Sequence, residues 1–133
     1  MSTIAPLTDP ESHPRVKAVF DDIRATRETD FINNLWRYLA FDPTLLENTW
    51  AEVKRVMAAP SSLDPLTKEL VYITASIING CSYCVHSHTA AASAKGMTSE
   101  QHAELMAIVG LAAKTNQLAT ALQVPLDPVF DRG

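Results

Sequence analysis

The sequence predicts an all-α fold, and the placement of prolines and glycines is the first reason. Six of the eight prolines lie at or before Pro65, two lie at positions 125 and 128, and none lies between 66 and 124. Glycines occur only at 80, 96, 110 and 133. So few turn-forming residues leave long uninterrupted segments, which favour helices over a series of short strands. Apolar residues at helical spacing are the second reason.

The first half of the chain predicts an N-terminal arm and three helices. The arm covers residues 1–13, and a first helix follows, in which Val16, Val19, Phe20 and Ile23 share one face. A second helix is expected from Phe31 to Ala40. The pair Asp42-Pro43 is a helix start signal for a third. The inner stripe of this third helix consists of Leu46, Trp50, Val53 and Met57.

The second half predicts three longer helices and a C-terminal arm. Asp64-Pro65 repeats the start signal for a segment ending at Gly80. Residues 71–77 alternate apolar and polar side chains and would allow a strand, but the start signal and the length of about fourteen residues favour a buried helix. A fifth helix is expected from Cys81 to Lys95, with Gly96 as its cap. Thr98 and Gln101 form a capping box for a last helix reaching about Leu122, and residues 123–133 form the arm.

Length and charge restrict the classes of protein that remain. A chain of 133 residues with 47% hydrophobic residues predicts one domain, 1–133, with one core. The 15 acidic and 11 basic residues give a net charge of −4, which offers no positive field for nucleic acid. No stretch approaches the ~20 apolar residues of a membrane span, and no apolar signal core begins the sequence. We therefore expect a cytoplasmic protein without nucleic acid or membrane partners.

The only cysteines, Cys81 and Cys84, form a C-x-x-C pair directly after Gly80. At a helix start, unpaired backbone N–H groups and the helix dipole favour negative charge and lower the pKa of a thiol. The spacing brings both sulfurs to one face, close enough for a readily reduced disulfide. In a reducing compartment such a pair indicates redox chemistry or metal binding rather than a structural disulfide.

His88 and Glu69 are the candidate proton-transfer groups. His88 follows Cys84 by four residues and shares its helical face, so its imidazole can take the thiol proton, whereas His86 points elsewhere and is expected at the surface. If the helices flanking Gly80 fold back on each other, Glu69 lies about 16 Å and His88 about 12 Å from the turn. Glu69 is then nearer in level to His88 than to either cysteine. This placement predicts a proton relay from Glu69 through His88 to Cys84, with room for a water between Glu69 and His88. Alternatively, Glu69 only complements its helix dipole.

These residues resemble a known family. The pattern Glu69-x11-Cys81-x2-Cys84-x3-His88-x7-Gly96 resembles the core motif of the alkylhydroperoxidase D-like, or carboxymuconolactone decarboxylase-like, superfamily. The resemblance implies an all-helical fold that assembles into dimers, trimers or hexamers, without a metal or organic cofactor. It also implies that Cys84 attacks a hydroperoxide, Cys81 resolves the sulfenic acid, and Glu69 and His88 relay protons. An external dithiol or thiol protein would then reduce the disulfide.

Tyr83 is a departure from the motif, because peroxidases of this family often carry a histidine between the cysteines. A neutral phenol cannot assist proton transfer near neutral pH as an imidazole can. The alternative activity is therefore general thiol–disulfide exchange without efficient peroxide reduction. The decarboxylase branch generally lacks the cysteine pair, whose presence here argues against lactone decarboxylation.

Other interpretations of the motif are a thioredoxin-like oxidoreductase, a structural zinc module and an assembly protein without turnover. The first requires further strands that the sequence does not indicate. The second would use Cys81, Cys84, His88 and Glu69, but structural zinc sites usually draw two ligand pairs from separate segments. Four aromatic residues near one helix junction would either form an oligomer interface or, as we favour, fill the core. They are Trp36, Tyr38, Phe41 and Trp50.

Overall fold

The chain folds into α-helices joined by short connections in the computed structural model, which describes residues 1–131 and contains no β-strand among them. The all-α prediction is confirmed. The six helices are α1 (Pro14–Arg27), α2 (Asn34–Leu39), α3 (Pro43–Val53), α4 (Pro65–Ile78), α5 (Ser82–Ala94) and α6 (Ser99–Ala121). Single 3-10 turns occupy Pro10–Ser12 and Pro128–Phe130 within the segments predicted as arms, and a π-helical turn, Lys54–Ala58, continues α3. The last two residues of the predicted C-terminal arm lie outside the described residues.

The chain divides into two compact units, which we call the N-terminal unit (1–62) and the C-terminal unit (63–133). The single-domain organisation stays a prediction. In the N-terminal unit, α1 and α2 both pack against α3 around an apolar core. Trp36 and Trp50 meet edge to face there, with ring centroids 5.4 Å apart. The buried apolar residues are Val16, Val19, Phe20, Ile23, Ile32, Trp36, Ala40, Leu46 and Trp50.

The predicted start of the second helix at Phe31 is wrong. α1 ends at Arg27, and its C-cap residue Glu28 has a left-handed backbone with φ of 53°. The chain then turns, with the Thr29 hydroxyl accepting from the Phe31 amide at 3.3 Å. Phe31 is 67% exposed and makes no apolar anchor for a first helical turn. Asn33 adopts the extended N-cap conformation, so α2 begins at Asn34.

Two of the four aromatic residues near this junction fill the core, so the favoured prediction is confirmed for the tryptophans and wrong for Phe41. Trp36 and Trp50 are buried, Tyr38 is half-buried, and Phe41 is exposed. The Trp50 indole donates to Asp22 at 2.7 Å, which satisfies its polar atom within the apolar surroundings.

In the C-terminal unit, α4 packs along α5 and also contacts α6. Residues 71–77 are helical, so the strand alternative is excluded. Asp64 caps α4 by accepting from the Thr67 amide at 2.9 Å, and Thr98 and Gln101 form the predicted capping box of α6. Ile73, Ala92 and Leu105 form the buried apolar core of this unit. None of the helices in the described part of the chain combines the length and apolarity needed to cross a membrane.

Candidate active site

A tight turn after α4 brings α4 and α5 side by side. Gly80 adopts φ of +70°, a conformation that a side chain would strain, and the Cys81 amide donates back to the Ser76 carbonyl at 2.9 Å. The turn reverses the chain within three residues, so that residues at similar distances from Gly80 on the two helices face each other. The fold-back inferred from the sequence is therefore observed.

The cysteine pair lies at the N-terminus of α5. Cys81 is the N-cap residue, and its sulfur accepts from the Cys84 amide at 3.3 Å. Cys81 and Cys84 are joined as a disulfide, with Cα atoms 5.3 Å apart, a separation within the usual range for such bonds. When the bond is reduced, the Cys84 amide at the helix start can donate to a Cys81 sulfur that carries negative charge. The predicted position of the pair at the helix start is confirmed.

Glu69 and His88 meet directly across the α4–α5 interface. His88 Nδ1 lies 2.6 Å from Glu69 Oε2, and only 6% of the Glu69 side chain is exposed. Lys95, which the sequence interpretation did not include, donates from Nζ to Glu69 Oε1 at 2.8 Å. Each carboxylate oxygen therefore has its own partner, as a buried carboxylate requires.

The hydrogen-bonding partners of Glu69 together affect its pKa more than its burial does. Burial alone would raise the pKa of this carboxyl, but the hydrogen bonds from His88 and Lys95, reinforced by their charges, lower the pKa of Glu69 below its ordinary value. Glu69 is consequently ionised at neutral pH and can accept a hydrogen bond from His88 Nδ1. In the tautomer in which Nδ1 donates to Glu69, Nε2 is the ring nitrogen left to accept a proton, which is the arrangement a general base needs.

Tyr72 holds the imidazole from a second side. Its ring stacks on the His88 ring with centroids 3.6 Å apart and planes inclined by 20°. Together with the Glu69 hydrogen bond, this stacking fixes both the tilt and the direction of the ring. The signals for the two missed residues were present in the sequence: Tyr72 follows Glu69 by three residues and Lys95 follows His88 by seven, which places each pair on one helical face.

The two histidines considered in the sequence interpretation both lie on α5. His88 lies one helical turn after Cys84 on α5, so both share the face that contains the cysteine pair. His86 is exposed, as expected. Within residues 1–131, no group of three or more His, Cys, Asp or Glu side chains is arranged to hold a metal ion. The arrangement therefore combines a cysteine pair with a histidine oriented by a buried carboxylate.

Comparisons with known proteins point to one family. The sequence pattern of the Carboxymuconolactone decarboxylase family matches residues 44–127, more than half of the chain. The alkylhydroperoxidase AhpD core from Rhodospirillum rubrum, a crystal structure, is 61% identical and superposes with a TM-score of 0.94 over 98% of this chain and 97% of that one.

A curated relative gives a more distant match. The alkyl hydroperoxide reductase AhpD of Solibacter usitatus is 32% identical over 79 residues, which are 59% of this chain and 43% of that protein. The chain thus spans less than half the length of that relative. Since both the family pattern and the solved core cover most of its helices, the chain belongs to the carboxymuconolactone decarboxylase family, within the alkylhydroperoxidase D-like superfamily.

Proposed function

We propose that the protein is a thiol-dependent hydroperoxide reductase. The observation that carries this proposal is the direct 2.6 Å hydrogen bond between Glu69 and His88, one helical turn from Cys84. A base oriented by a buried carboxylate next to a helix-terminal cysteine is the arrangement that activates a thiol nucleophile. The AhpD relatives support the same class of activity.

The proposed reaction has three balanced steps. His88 takes the Cys84 proton, the thiolate attacks the terminal oxygen of ROOH, and the O–O bond breaks to give Cys84 sulfenic acid and an alkoxide that receives the His88 proton. The Cys81 thiol then attacks the Cys84 sulfur, forming the disulfide and releasing water. An external dithiol reduces the disulfide by exchange and is itself oxidised to a disulfide. No cofactor or metal takes part in these steps.

Stoichiometric peroxide added to the reduced protein tests this proposal. The intact mass should fall by two hydrogens as the Cys81–Cys84 bond forms, and Cys81→Ser should stop at the sulfenic acid, which a dimedone-type reagent traps. Cys84→Ser should consume no peroxide. Peroxide consumption by Cys84→Ser at the parent rate would overturn the assignment of the nucleophile.

The histidine provides a matched comparison, because a second imidazole lies two residues away. His88→Ala should slow peroxide consumption about 100-fold, the usual contribution of a positioned base. His86→Ala removes an exposed imidazole from the same helix and should leave the rate unchanged. Equal losses in both variants would contradict a specific role for His88.

Tyr83 favours a second candidate activity, thiol–disulfide exchange. Its ring is 42% exposed beside the cysteine pair, where it adds no imidazole to assist the leaving oxygen. For this candidate, reduction of a small disulfide such as hydroxyethyl disulfide should be faster than peroxide consumption. Tyr83→His should then raise the peroxide rate selectively, and a parent that already consumes peroxide faster than disulfide would exclude this alternative.

We further propose that the protein is a cytoplasmic homo-oligomer. Several apolar side chains recur at helical spacing along α6 and at its C-cap and remain exposed, between 50% and 74% of each: Ile108, Leu111, Leu118 and Leu122. A stripe of this kind is characteristic of an interface between subunits. Light scattering after size exclusion should give a multiple of 14.5 kDa, and L111E combined with L118E should lower it, whereas Q117E should not. A monomeric parent would contradict the proposal.

A further inference from the structure

Lys95 completes the charged cluster around Glu69. Its Nζ donates to Oε1 at 2.8 Å, while His88 occupies Oε2, so the carboxylate is shared between an ammonium and an imidazole. The backbone of Lys95 is itself fixed at the C-cap of α5, where its amide donates to the Ala91 and Ala92 carbonyls. Gly96, with φ of +94°, follows and ends the helix. The lysine therefore reaches Glu69 from a defined position.

We propose that Lys95 is a positioning residue that, by sharing the Glu69 carboxylate, sets how firmly His88 holds its proton. The inference rests on the proposed function, in which His88 must first accept the Cys84 proton and then release it to the leaving oxygen. Lys95 acts through Glu69 and His88 and has no contact of its own with the reacting sulfur in the proposal.

The physical argument follows from the charges. A buried carboxylate bonded to an imidazole stabilises the imidazolium form, and with no other partner it would keep the proton on the ring. An imidazolium that keeps its proton can neither deprotonate a thiol nor protonate an alkoxide. The ammonium of Lys95 offsets the carboxylate charge and opposes a second positive charge on His88. Lys95 therefore keeps His88 able to exchange its proton in both directions.

Four side chains lie around the His88 imidazole or bind its carboxylate partner. Glu69 and Tyr72 face it from α4, Lys95 reaches the shared carboxylate from the end of α5, and Cys84 lies one turn earlier on α5. Lys95 could alternatively serve only as a cation that stabilises the C-terminus of α5. That structural role would change the stability of the helix but not the proton affinity of His88.

The test is an NMR titration of the His88 ring in the reduced, full-length protein. Lys95→Met removes the charge and should move the midpoint of the His88 titration upward by about one pH unit, a value reduced by the 38% exposure of the lysine side chain. Lys95→Arg keeps the charge and should restore the parent midpoint to within a few tenths. Lys114→Met removes an exposed lysine from α6 and should have no effect.

Peroxide kinetics give the functional consequence. The rising limb of kcat/KM against pH should move upward by the same amount in Lys95→Met and return in Lys95→Arg. An unchanged or lowered His88 midpoint in folded Lys95→Met would overturn the inference, and Lys95→Gln provides the same measurement if the Met variant does not fold. A parent that never consumes peroxide would refute the proposed function, while the titration would still decide the role of Lys95.

Discussion

Each unit of this protein contains a carboxylate that is hydrogen-bonded to both a ring nitrogen and a lysine. In the N-terminal unit, Asp22 accepts from the Trp50 indole at 2.7 Å and from Lys54 at 2.9 Å, and its side chain is 44% exposed. In the C-terminal unit, Glu69 accepts from His88 and Lys95 over similar distances, but only 6% of its side chain is exposed.

The two carboxylates differ in whether the ring that they bind can exchange a proton. An indole is a donor only and does not titrate near neutral pH, so Asp22 can do no more than hold Trp50 in the core. An imidazole exchanges protons in that range, and burial strengthens its interaction with Glu69. The same pair of partner types therefore anchors a side chain in one unit and prepares a base in the other.

The cores beneath the two clusters differ as well. Nine buried apolar residues support the N-terminal cluster, whereas residues 63–131 contribute three, with Glu69 and Ser76 buried beside them. Because the core of the C-terminal unit is smaller, the positions of the candidate site residues depend more strongly on each of its apolar residues. We therefore expect that truncating a core residue lowers the free energy of unfolding by a similar amount in either unit. Only a truncation in the C-terminal unit should also slow peroxide consumption.

The largest effect is expected from truncating one fully buried isoleucine in each core. Ile23→Ala and Ile73→Ala should each lower the free energy of unfolding by about 3 kcal/mol, from lost burial and the cavity left behind. Ile73 lies next to Tyr72 on α4, so its variant should also slow peroxide consumption, while Ile23→Ala should not. Denaturant unfolding and peroxide kinetics on the folded fraction measure both quantities.

The isoleucine pair also tests the single-domain prediction. Both tryptophans belong to the N-terminal unit, so tryptophan fluorescence follows that unit, whereas far-UV circular dichroism follows all helices. In one cooperative domain, the two signals should shift together in either variant. Separate transitions, with fluorescence insensitive to Ile73→Ala, would show two independently unfolding units.

Replacing the buried carboxylate should have the next largest effect. Glu69→Gln should lower the free energy of unfolding by about 2 kcal/mol at pH 7, because Lys95 and His88 lose a charged acceptor inside the unit. Since the folded-state pKa of Glu69 is lowered, its contribution is complete above the ordinary carboxyl range and disappears as pH falls through the folded-state value. The difference between parent and variant should therefore shrink as the pH falls below the ordinary carboxyl value of 4.5.

Chemical denaturation at a series of pH values measures this difference. A gap between parent and Glu69→Gln that stays constant down to pH 3 would contradict the ionised state of Glu69. An increase of the gap at low pH would indicate that the folded protein binds the carboxyl proton more tightly than the unfolded chain.

Much of this arrangement could be predicted from the sequence, because it depends on local rules. The start signals at Pro43 and Pro65 and the capping box at Thr98 set helix boundaries through neighbouring residues alone. The rise per residue placed Glu69 nearer in level to His88 than to either cysteine, and the structure brings the two side chains into direct contact rather than leaving space for a water.

The remaining features depend on packing that spacing does not specify. A lysine at the end of a helix is ordinary, so the seven-residue spacing between His88 and Lys95 did not by itself indicate that Lys95 reaches a buried carboxylate on another helix. Tyr72 could have faced solvent, and only the close approach of α4 and α5 stacks it on His88. The late start of α2 depends on the turn after Glu28, whose left-handed backbone is uncommon in residues other than glycine.

The smallest effect is expected at Asp22, which completes the comparison with Glu69. Asp22→Asn should lower the free energy of unfolding by less than about 1 kcal/mol, because exposed ion pairs contribute little and the amide oxygen can still accept from Trp50. The pKa of Asp22 is lowered by the hydrogen bonds from Trp50 and Lys54, so this small contribution too is present above the carboxyl range and lost in acid. Peroxide consumption should match the parent. A loss as large as that of Glu69→Gln would mean that burial does not distinguish the two clusters, and a slower reaction would mean that Asp22 influences the cysteine chemistry.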